Sequence, residues 1–267
     1  MTTFYKMSGA GNDFIALPEP AEPPTADEVR ALCRRSISVG ADGVFAINRT
    51  EDGVRMIHWN ADGGRAELCL NGSRCAAQLA FHLGWAQEAF ELETDAGRLQ
   101  AFAVDEARTQ ITLPPIVSKP EARTLRVEDT DYSTHFVEVG VPHLVLDSRD
   151  LGHPEVATVP VASLSPPLRS HPQLAHGANV NFVETLDPGR INLRTFERGV
   201  EAETLACGTG AIASVAVGIQ EGRLQAPVRV RTTGGIELEV DGDESRSKIL
   251  GDARLISRGE ILPGAFA

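Results

Sequence analysis

The sequence predicts an α+β protein built from two copies of one structural unit. Cys69 and Cys207 each open an apolar, alanine-rich segment of the kind that forms a buried helix. Thr94 and Thr232 follow these two cysteines at the same spacing, within alternating apolar and polar residues that predict strands. These correspondences occur in the same order in both halves and indicate an internal repeat. Each copy is expected to combine strands, a buried helix and a hairpin.

The two apolar segments predict central helices, one from Cys69 to near Gly84 and one from Cys207 to near Gly222. Each segment is apolar nearly all round, so each helix is expected to be buried on most sides. Short strands wrapped around a helix are its simplest cover. We therefore expect two pseudo-symmetric domains, each a β-barrel-like sheet around a central helix.

The remaining elements follow from alternation and helix signals. Thr25 and Glu28 form a capping box that predicts a surface helix from Thr25 to Arg35, with Cys33 on its packed side. The proline-rich stretch from Val159 to Pro172 predicts an irregular surface loop. Strands are predicted at 44–47, 55–59, 90–94 and 99–104 in the first half and at 136–139, 144–146, 191–196, 228–232 and 236–240 in the second.

The repeat also predicts how the chain divides into domains. Residues 1–117 form the predicted first domain, which carries Cys69 and is completed by a strand from residues 253–267 that returns to it. Residues 118–252 form the predicted second domain, which carries Cys207.

Composition excludes several classes of partner. The 267 residues carry 25 Lys and Arg against 37 Asp and Glu, a net charge of −12 that would repel nucleic acid and anionic membranes. No apolar run is long enough to span a membrane. The first residues lack the basic-then-apolar pattern of a secretory signal, so a cytoplasmic location is expected.

The sequence predicts neither a metal nor an organic cofactor. The four cysteines, at 33, 69, 75 and 207, are expected to be thiols, and no Cys-x-x-Cys or paired-histidine spacing indicates zinc. Cys75, like Cys33, is expected to be a packing residue. The three lysines, at 6, 119 and 248, are in no recognisable pyridoxal setting.

The position of Cys69 and Cys207 at two helix starts predicts their chemistry. The first turn of a helix offers unpaired N–H groups and partial positive charge, which hold a carboxylate and lower the pKa of a thiol. Gly208 and Gly210 would let a ligand approach the second central helix closely, and Asn71 with Gly72 would do the same at the first central helix. A carboxylate held there, with a thiol on each face of its α-carbon, suits removal of the α-proton and its return from the opposite face. The pattern therefore predicts amino-acid racemisation or epimerisation, with one cysteine as thiolate and the other as thiol.

Motifs along nearly the whole chain are similar to those of the diaminopimelate epimerase family. In order, they are Gly11-Asn-Asp-Phe14, Gly40-Ala-Asp-Gly43, Trp59-Asn-Ala-Asp-Gly63, Cys69-x-Asn-Gly-x-Arg-Cys75, Pro142-His143, Gly177-Ala-Asn179-Val-Asn, Glu197-Arg-Gly199 and Glu203-Thr-Leu-Ala-Cys-Gly-Thr-Gly210. The resemblance implies two barrel-like domains with the active site between them. It also implies conversion of LL- to meso-diaminopimelate, for lysine and peptidoglycan, without metal or pyridoxal and as a homodimer.

The resemblance also implies roles for single residues. It makes Cys69 and Cys207 the acid–base pair, with His143 and Glu197 as the groups that tune them. The residues whose backbone N–H groups would hold the reacting carboxylate are Leu70, Asn71, Gly208 and Thr209. The side chains that would hold the rest of the substrate are Asn12, Asn60, Asn179, Glu197 and Arg198. A guanidinium at Arg198 suits a distal carboxylate on general grounds.

Two positions depart from the family pattern. Leu70 stands where the family usually has glycine after the first cysteine, and Val141 stands where it usually has asparagine before Pro-His. The Leu70 side chain needs room, and a positive φ would be disfavoured there.

Three other functions remain open at this stage. A racemase of histidine or proline could use the same fold, although Asn60 with Arg198 favours a substrate with a second polar end. A hydroxyproline dehydratase-type lyase typically lacks one of the paired cysteines, and both are present here. A thiol redox or amino-acid-binding protein would leave the duplicated helix starts unexplained.

Overall fold

Helices and strands were assigned in a computed structural model that describes residues 2–115, 117–243 and 246–266. Met1, Ile116, Glu244, Ser245 and Ala267, which fall within the predicted domain ranges, lie outside the described residues. The chain divides into a first unit, Met1–Leu113 with Leu250–Ala267, and a second unit, Pro114–Ile249.

The described part of the chain is rich in strands and has few helices, which confirms the predicted α+β class. Its helices are α1 (Ala26–Cys33), α2 (Leu70–His82), α3 (Val161–Arg169) and α4 (Gly208–Gln220), with short 3-10 turns at Val156–Thr158 and Pro263–Phe266. Its strands are β1 (Thr2–Gly9), β2 (Asn12–Pro18), β3 (Gly43–Arg49), β4 (Gly53–Asn60), β5 (Arg65–Ala66), β6 (Ala89–Thr94), β7 (Gly97–Asp105), β8 (Arg108–Thr112), β9 (Glu121–Val127), β10 (Thr130–Glu138), β11 (Pro142–Asp147), β12 (Asn179–Asp187), β13 (Arg190–Glu197), β14 (Ala202–Thr204), β15 (Val228–Thr232), β16 (Glu237–Asp243), β17 (Arg246–Asp252) and β18 (Arg254–Ile261).

The sheet of the first unit runs in the order β18-β1-β2-β3-β4-β6-β7-β8. Strands β2 and β3 pair in parallel, as do β4 and β6, and the other pairs in this order are antiparallel. A parallel pair needs a crossover connection, and α1 and α2 supply these two. Strand β5 pairs with β4 just before Cys69.

The sheet of the second unit repeats this pattern. It runs in the order β9-β10-β11-β12-β13-β15-β16, with parallel pairs β11–β12 and β13–β15 and antiparallel pairs elsewhere. Helices α3 and α4 supply the crossovers, and β14 pairs with β13 just before Cys207, as β5 pairs with β4 in the first unit. The internal repeat predicted from the sequence is therefore present in the strand pairing.

Each predicted central helix is present and buried within its own unit. Helix α2 packs against β1, β2, β3, β4, β7, β8 and β18, and α4 packs against β10, β11, β12 and β16. Both helices end before a glycine with a left-handed backbone, Gly84 with φ of 72° and Gly222 with φ of 71°. Cys69 and Cys207 stand at the N-cap positions, so each thiol lies at the first turn of a buried helix.

The predicted surface helix is confirmed and its cap is complete. The Thr25 hydroxyl accepts a hydrogen bond from the Glu28 N–H at 3.3 Å, and the Glu28 carboxylate accepts one from the Thr25 N–H at 2.8 Å. Val29, Leu32 and Cys33 form the buried face. Burial raises the pKa of the Cys33 thiol to about 11, as expected for a packing residue.

The predicted loop over 159–172 is wrong, because residues 161–169 form helix α3 despite Pro166 and Pro167. The helix buries Val161 and Leu168 in an apolar cluster with strands of the second unit. The Leu164 N–H donates to the Pro160 carbonyl at 3.1 Å and the Ser170 N–H to the Pro166 carbonyl at 3.2 Å. Packing of one apolar face therefore outweighs the hydrogen bonds that the two prolines cannot make.

Among the described residues, no helix is long and apolar enough to cross a membrane.

Candidate active site

In the first unit, Cys69 caps helix α2 with its own side chain. Its Sγ accepts a hydrogen bond from the Gly72 N–H at 3.4 Å, and the side chain is partly exposed. Strand β4 and the short strand β5 lead the chain to this point. Leu70 and Asn71 are the first two residues of the helix, so their N–H groups belong to the turn that lacks helical partners. A helix start of this kind suits an anion beside the thiol.

Leu70 is accommodated without backbone strain. It is only 3% exposed and is not among the non-glycine residues with positive φ, because it adopts the helical conformation of α2. The side chain has therefore found room inside the unit, and its N–H remains part of the helix start.

Asn71 links the helix start to Asn12. The Asn71 Nδ2 donates to the Asn12 Oδ1 at 2.7 Å, and the Asn12 Nδ2 donates to Asp42 Oδ2 at 3.2 Å. Arg74, which is fully buried in α2, donates to Asn71 Oδ1 at 2.6 Å. Two of the predicted substrate-binding residues are thus brought into direct contact, and Arg74 is a support that sequence reasoning did not assign.

Asn60 lies exposed at the end of β4, next to this group. Its N–H donates to the Gly64 carbonyl at 2.9 Å, and the following residue, Ala61, donates to the Asp42 carbonyl at 3.1 Å. The backbone next to Asn60 therefore lies against that of Asp42.

In the second unit, Cys207 caps helix α4 in the same way. Its Sγ accepts from the Gly210 N–H at 3.4 Å and lies 3.4 Å from the Thr209 Oγ1. Gly208 and Thr209 are the first helical residues, and both are buried. A side chain at Gly210 would bring its Cβ within 2.3 Å of the Asn181 Oδ1, so the turn can be this tight only with glycine.

The carboxyl group of Glu197 lies beside the Cys207 thiol. Its Oε1 accepts a hydrogen bond from the Thr204 hydroxyl at 2.7 Å, and its carboxyl hydrogen-bonds the Cys207 thiol. Burial raises the pKa of Glu197. Burial also raises the pKa of Cys207, and the Glu197 charge raises it further.

The sequence led us to expect a lowered thiol pKa at both helix starts, and for Cys207 this prediction is wrong. Hydrogen bonds from Thr209 and Gly210 do lower the pKa, but burial of a side chain that is 7% exposed has the larger effect. The Cys207 group is therefore a thiol at neutral pH, hydrogen-bonded to the Glu197 carboxyl group.

His143 is fully buried in β11, opposite Asn179 in the parallel strand β12. Its Nδ1 lies 3.1 Å from the Asn181 Nδ2, which also donates to the Leu144 carbonyl at 2.8 Å. The Asn181 amide therefore makes Nδ1 an acceptor and leaves the proton on Nε2. Burial lowers the pKa of His143 to about 3, and the charge of Arg198 contributes, so the ring is neutral.

Asn179 and Arg198 are joined through the backbone. The Asn179 Oδ1 accepts from the Arg198 N–H at 2.8 Å, and the Arg198 Nη1 donates to the His176 carbonyl at 2.8 Å. The predicted residues of the second unit, namely His143, Asn179, Glu197, Arg198, Cys207, Gly208 and Thr209, thus lie along β11, β12, β13 and the start of α4. Val141 precedes this group, and its carbonyl accepts from the Val139 N–H at 3.0 Å.

Sequence reasoning missed three polar residues of this unit. Asn181 fixes His143, Thr195 donates to the Asn181 Oδ1 at 3.0 Å, and Thr204 holds Glu197. Asn181 lies within a recognised motif and Thr204 lies two residues before Ala206-Cys207, so proximity to motifs was the available signal. Among the described residues, no group of three or more His, Cys, Asp and Glu side chains is arranged to hold a metal ion.

Solved structures with the same fold define the class of protein. A probable proline racemase from Agrobacterium radiobacter matches with a TM-score of 0.74 at 17% identity, over 100% of this chain and 96% of that one. A phenazine biosynthesis protein of the PhzF family from Enterococcus faecalis matches with a TM-score of 0.73 at 17% identity, over 98% and 99% of the two chains. The protein therefore has the fold of these proteins, with a cysteine at the start of each central helix.

Sequence comparison identifies the family. The model of diaminopimelate epimerase matches residues 4–114 and 135–256. The diaminopimelate epimerase of Aquifex aeolicus is 36% identical over 264 residues, which cover 92% of each chain. That of Methanothrix thermoacetophila is 34% identical over 276 residues, 97% of this chain and 95% of the relative. The chain belongs to the diaminopimelate epimerase family, which confirms the resemblance seen in its motifs, and it is an isomerase.

Proposed function

We propose that the enzyme interconverts LL- and meso-diaminopimelate by moving the α-proton between Cys69 and Cys207. The observation that carries this proposal is that Cys69 and Cys207 cap their helices in the same way. Each thiol accepts from the N–H three residues further on, at 3.4 Å in both cases, at the start of a buried helix. Two thiols in matched positions suit a reaction whose two directions are mirror images at the reacting α-carbon.

Two different protons are exchanged at the substrate α-carbon. The thiolate of Cys69 removes the α-proton from one face and becomes a thiol, and the thiol of Cys207 gives its own proton to the opposite face and becomes a thiolate. In the reverse direction the Cys207 thiolate is the base and the Cys69 thiol is the acid. When the reverse reaction starts from the Cys207 thiol, Glu197 accepts the Cys207 proton and Cys69 takes one from solvent. The raised pKa of Glu197 supports this pairing, because a more basic carboxylate accepts a proton more readily.

The reacting carboxylate is held by backbone N–H groups. Leu70 and Asn71 offer theirs at the start of α2, and Gly208 and Thr209 at the start of α4. Because these donors are fixed by the helices, they stabilise the charge that develops as the α-proton leaves without rearranging.

The distal end of the substrate is bound by polar side chains. Asn12, Asn60 and Asn179 supply amides, and Arg198 supplies a charge that pairs with the distal carboxylate. The Arg198 guanidinium is kept in place by its hydrogen bond to the His176 carbonyl. The buried neutral His143 offers its Nε2–H to the site, where it assists the cysteine pair.

The proposal includes the setting of the enzyme. It uses no metal or organic cofactor, it acts in the cytoplasm, where both thiols stay reduced, and it assembles as a homodimer. Its reaction supplies meso-diaminopimelate for lysine and peptidoglycan.

The deciding experiment is α-hydrogen exchange by mass spectrometry with reduced enzyme in D₂O. LL- and meso-diaminopimelate are compared with histidine, proline, glutamate and lysine, each with a chiral assay. Deuterium uptake with inversion in diaminopimelate alone is the expected result. Exchange in another amino acid would keep the mechanism and replace the substrate. Exchange in none of them, with folded protein and free thiols, would refute the proposal.

A further inference from the structure

A small pocket lies against Cys69 within the first unit. Its volume is about 10 Å³, and it is lined by Met56, His58, Ala66, Glu67, Cys69, Ser73, Thr94 and Asp95. A cavity of this volume holds one water molecule when two or more polar groups face it. No role was assigned to His58 or Ser73 from the sequence.

His58 and Ser73 are buried polar residues whose side-chain polar atoms have no hydrogen-bond partner in the protein. His58 is 6% exposed and Ser73 is 1% exposed. Both ring nitrogens of His58 and the Oγ of Ser73 lack a protein hydrogen-bond partner. Leaving such buried groups unpaired is unfavourable, so a shared ligand in the cavity is expected.

The ring of His58 is held in a fixed orientation. The Phe14 ring packs edge-on against it, with 5.8 Å separating the ring centroids. Gly43 packs on another side, where a Cβ would lie 2.9 Å from Nε2. Burial lowers the pKa of His58 to about 4, so the ring is neutral and presents one donor and one acceptor.

We propose that His58 and Ser73 hold one water molecule against Cys69, and that this water donates a hydrogen bond to the Cys69 thiolate. His58 and Ser73 are then positioning residues, and the water completes the solvation of the anion that removes the α-proton. The inference rests on the proposed function for the use of that thiolate, but the water site itself does not depend on the substrate.

We assign the hydrogen bond to the Cys69 thiolate to the water and not to the charged groups around the cavity. Asp95 is paired with Arg55 and Arg65, and Glu67 is exposed. From helix α2, the buried Arg74 attracts an anion at Cys69, while Cys75 is a buried thiol whose pKa is raised by burial. Asp252 interacts with Arg74, which donates to the Asp252 carbonyl. The His58 variants below leave all of these groups in place.

The test is the pH dependence of iodoacetamide alkylation at Cys69, followed by peptide mass spectrometry in the absence of substrate. His58→Leu is expected to slow alkylation at pH 7 roughly tenfold and to move its midpoint to higher pH by about one unit, the loss of one hydrogen bond to a charged group. Ser73→Ala should act in the same direction. The double variant should be no worse than His58→Leu, because both residues hold the same water.

Two further variants sharpen this test. His58→Gln retains a side-chain donor and should restore part of the rate. Thr112→Val is the matched control, since Thr112 is a buried hydroxyl of the first unit that also lacks a partner but does not line the cavity. Wild-type alkylation in both His58→Leu and Ser73→Ala, or fully additive effects in the double variant, would overturn the proposal. Because no substrate is present, either outcome is distinguishable from failure of the epimerase assignment.

Discussion

Cys69 and Cys207 occupy equivalent positions in two units whose sequences share little beyond a few motifs. Each thiol accepts a hydrogen bond at 3.4 Å from a glycine N–H, that of Gly72 or of Gly210. Their surroundings are opposite in charge, because a buried arginine, Arg74, lies in the helix of Cys69, whereas a carboxyl group, Glu197, lies against Cys207. The repeat provides two thiols in matched positions, and the neighbouring residues give them different charged surroundings.

Replacing either capping cysteine should abolish inversion while leaving the fold intact. Cys69→Ala and Cys207→Ala each remove one of the two groups that exchange the α-proton, so we expect the rate of inversion to fall by about 10²–10⁴ or more. A chiral assay of diaminopimelate measures this loss, and circular dichroism checks the fold. Cys33→Ala is the control, because Cys33 packs with Val29 and Leu32 of α1 in an apolar cluster of the first unit. Near-normal inversion by either active-site variant would show that the two-base mechanism is incorrect.

Glu197→Gln should change the ionisation of Cys207 in a defined direction. The Glu197 charge raises the pKa of the Cys207 thiol, so its removal should shift alkylation of Cys207 to lower pH. At the same time kcat should fall in the direction in which Cys207 is the base, because the acceptor of its proton is gone. Alkylation with peptide mapping and kinetics in both directions measure the two effects. Thr204→Val, which removes only the hydroxyl that binds Glu197, is the comparison. An alkylation midpoint that is unchanged or higher in Glu197→Gln would contradict the effect of the Glu197 charge on Cys207.

His143 should make stability depend on pH below neutrality. Burial lowers its pKa from 6.5 to about 3, so between these values the unfolded chain binds a proton that the folded protein does not. The contribution of His143 is therefore fully present above pH 6.5 and is lost as pH falls toward 3. Urea unfolding across this range should show a shallower pH dependence in His143→Asn than in the wild type. Because His58 is shifted in the same direction, part of the slope should remain in that variant. Equal slopes in the two proteins would rule out the buried neutral ring.

Gly210 and Gly72 provide a matched pair for testing packing at the two caps. A Cβ at Gly210 would lie 2.3 Å from the Asn181 Oδ1, whereas a Cβ at Gly72 would meet the flexible end of Met56 at 3.1 Å. We expect Gly210→Ala to lower the free energy of unfolding by about 1–3 kcal/mol and Gly72→Ala to have a smaller effect. Chemical denaturation measures both. A larger loss of stability in Gly72→Ala than in Gly210→Ala would mean that the close approach of Gly210 to Asn181 does not limit packing at the second cap.

Much of the fold was predictable because apolar and polar residues recur with the periods of helices and strands. The apolar segments after Cys69 and Cys207 predict buried helices, and the Thr25–Glu28 box predicts the start of α1. Alternating residues predict most of the central strands. Helix α3 was not predictable from local signals, because Pro166 and Pro167 oppose a helix and only packing within the second unit favours it.

The candidate site was predictable where a motif marked it and not where burial decides the chemistry. The two cysteines follow from the repeat. The raised pKa of Cys207 does not, because a helix start alone would lower it, and the opposing burial is known only from the folded unit. The same holds for Asn181 and His58, whose importance lies in what surrounds them rather than in any spacing along the chain.

The pairing of β18 with β1 has a consequence during protein synthesis. Thr2 pairs with Ile261, so the first unit joins strands from opposite ends of its sequence, whereas the second unit is continuous from Pro114 to Ile249. Every strand of the second unit is therefore translated before residues 254–261. The first unit, although it is begun earlier, keeps its β1 edge unpaired until its last strand has been made.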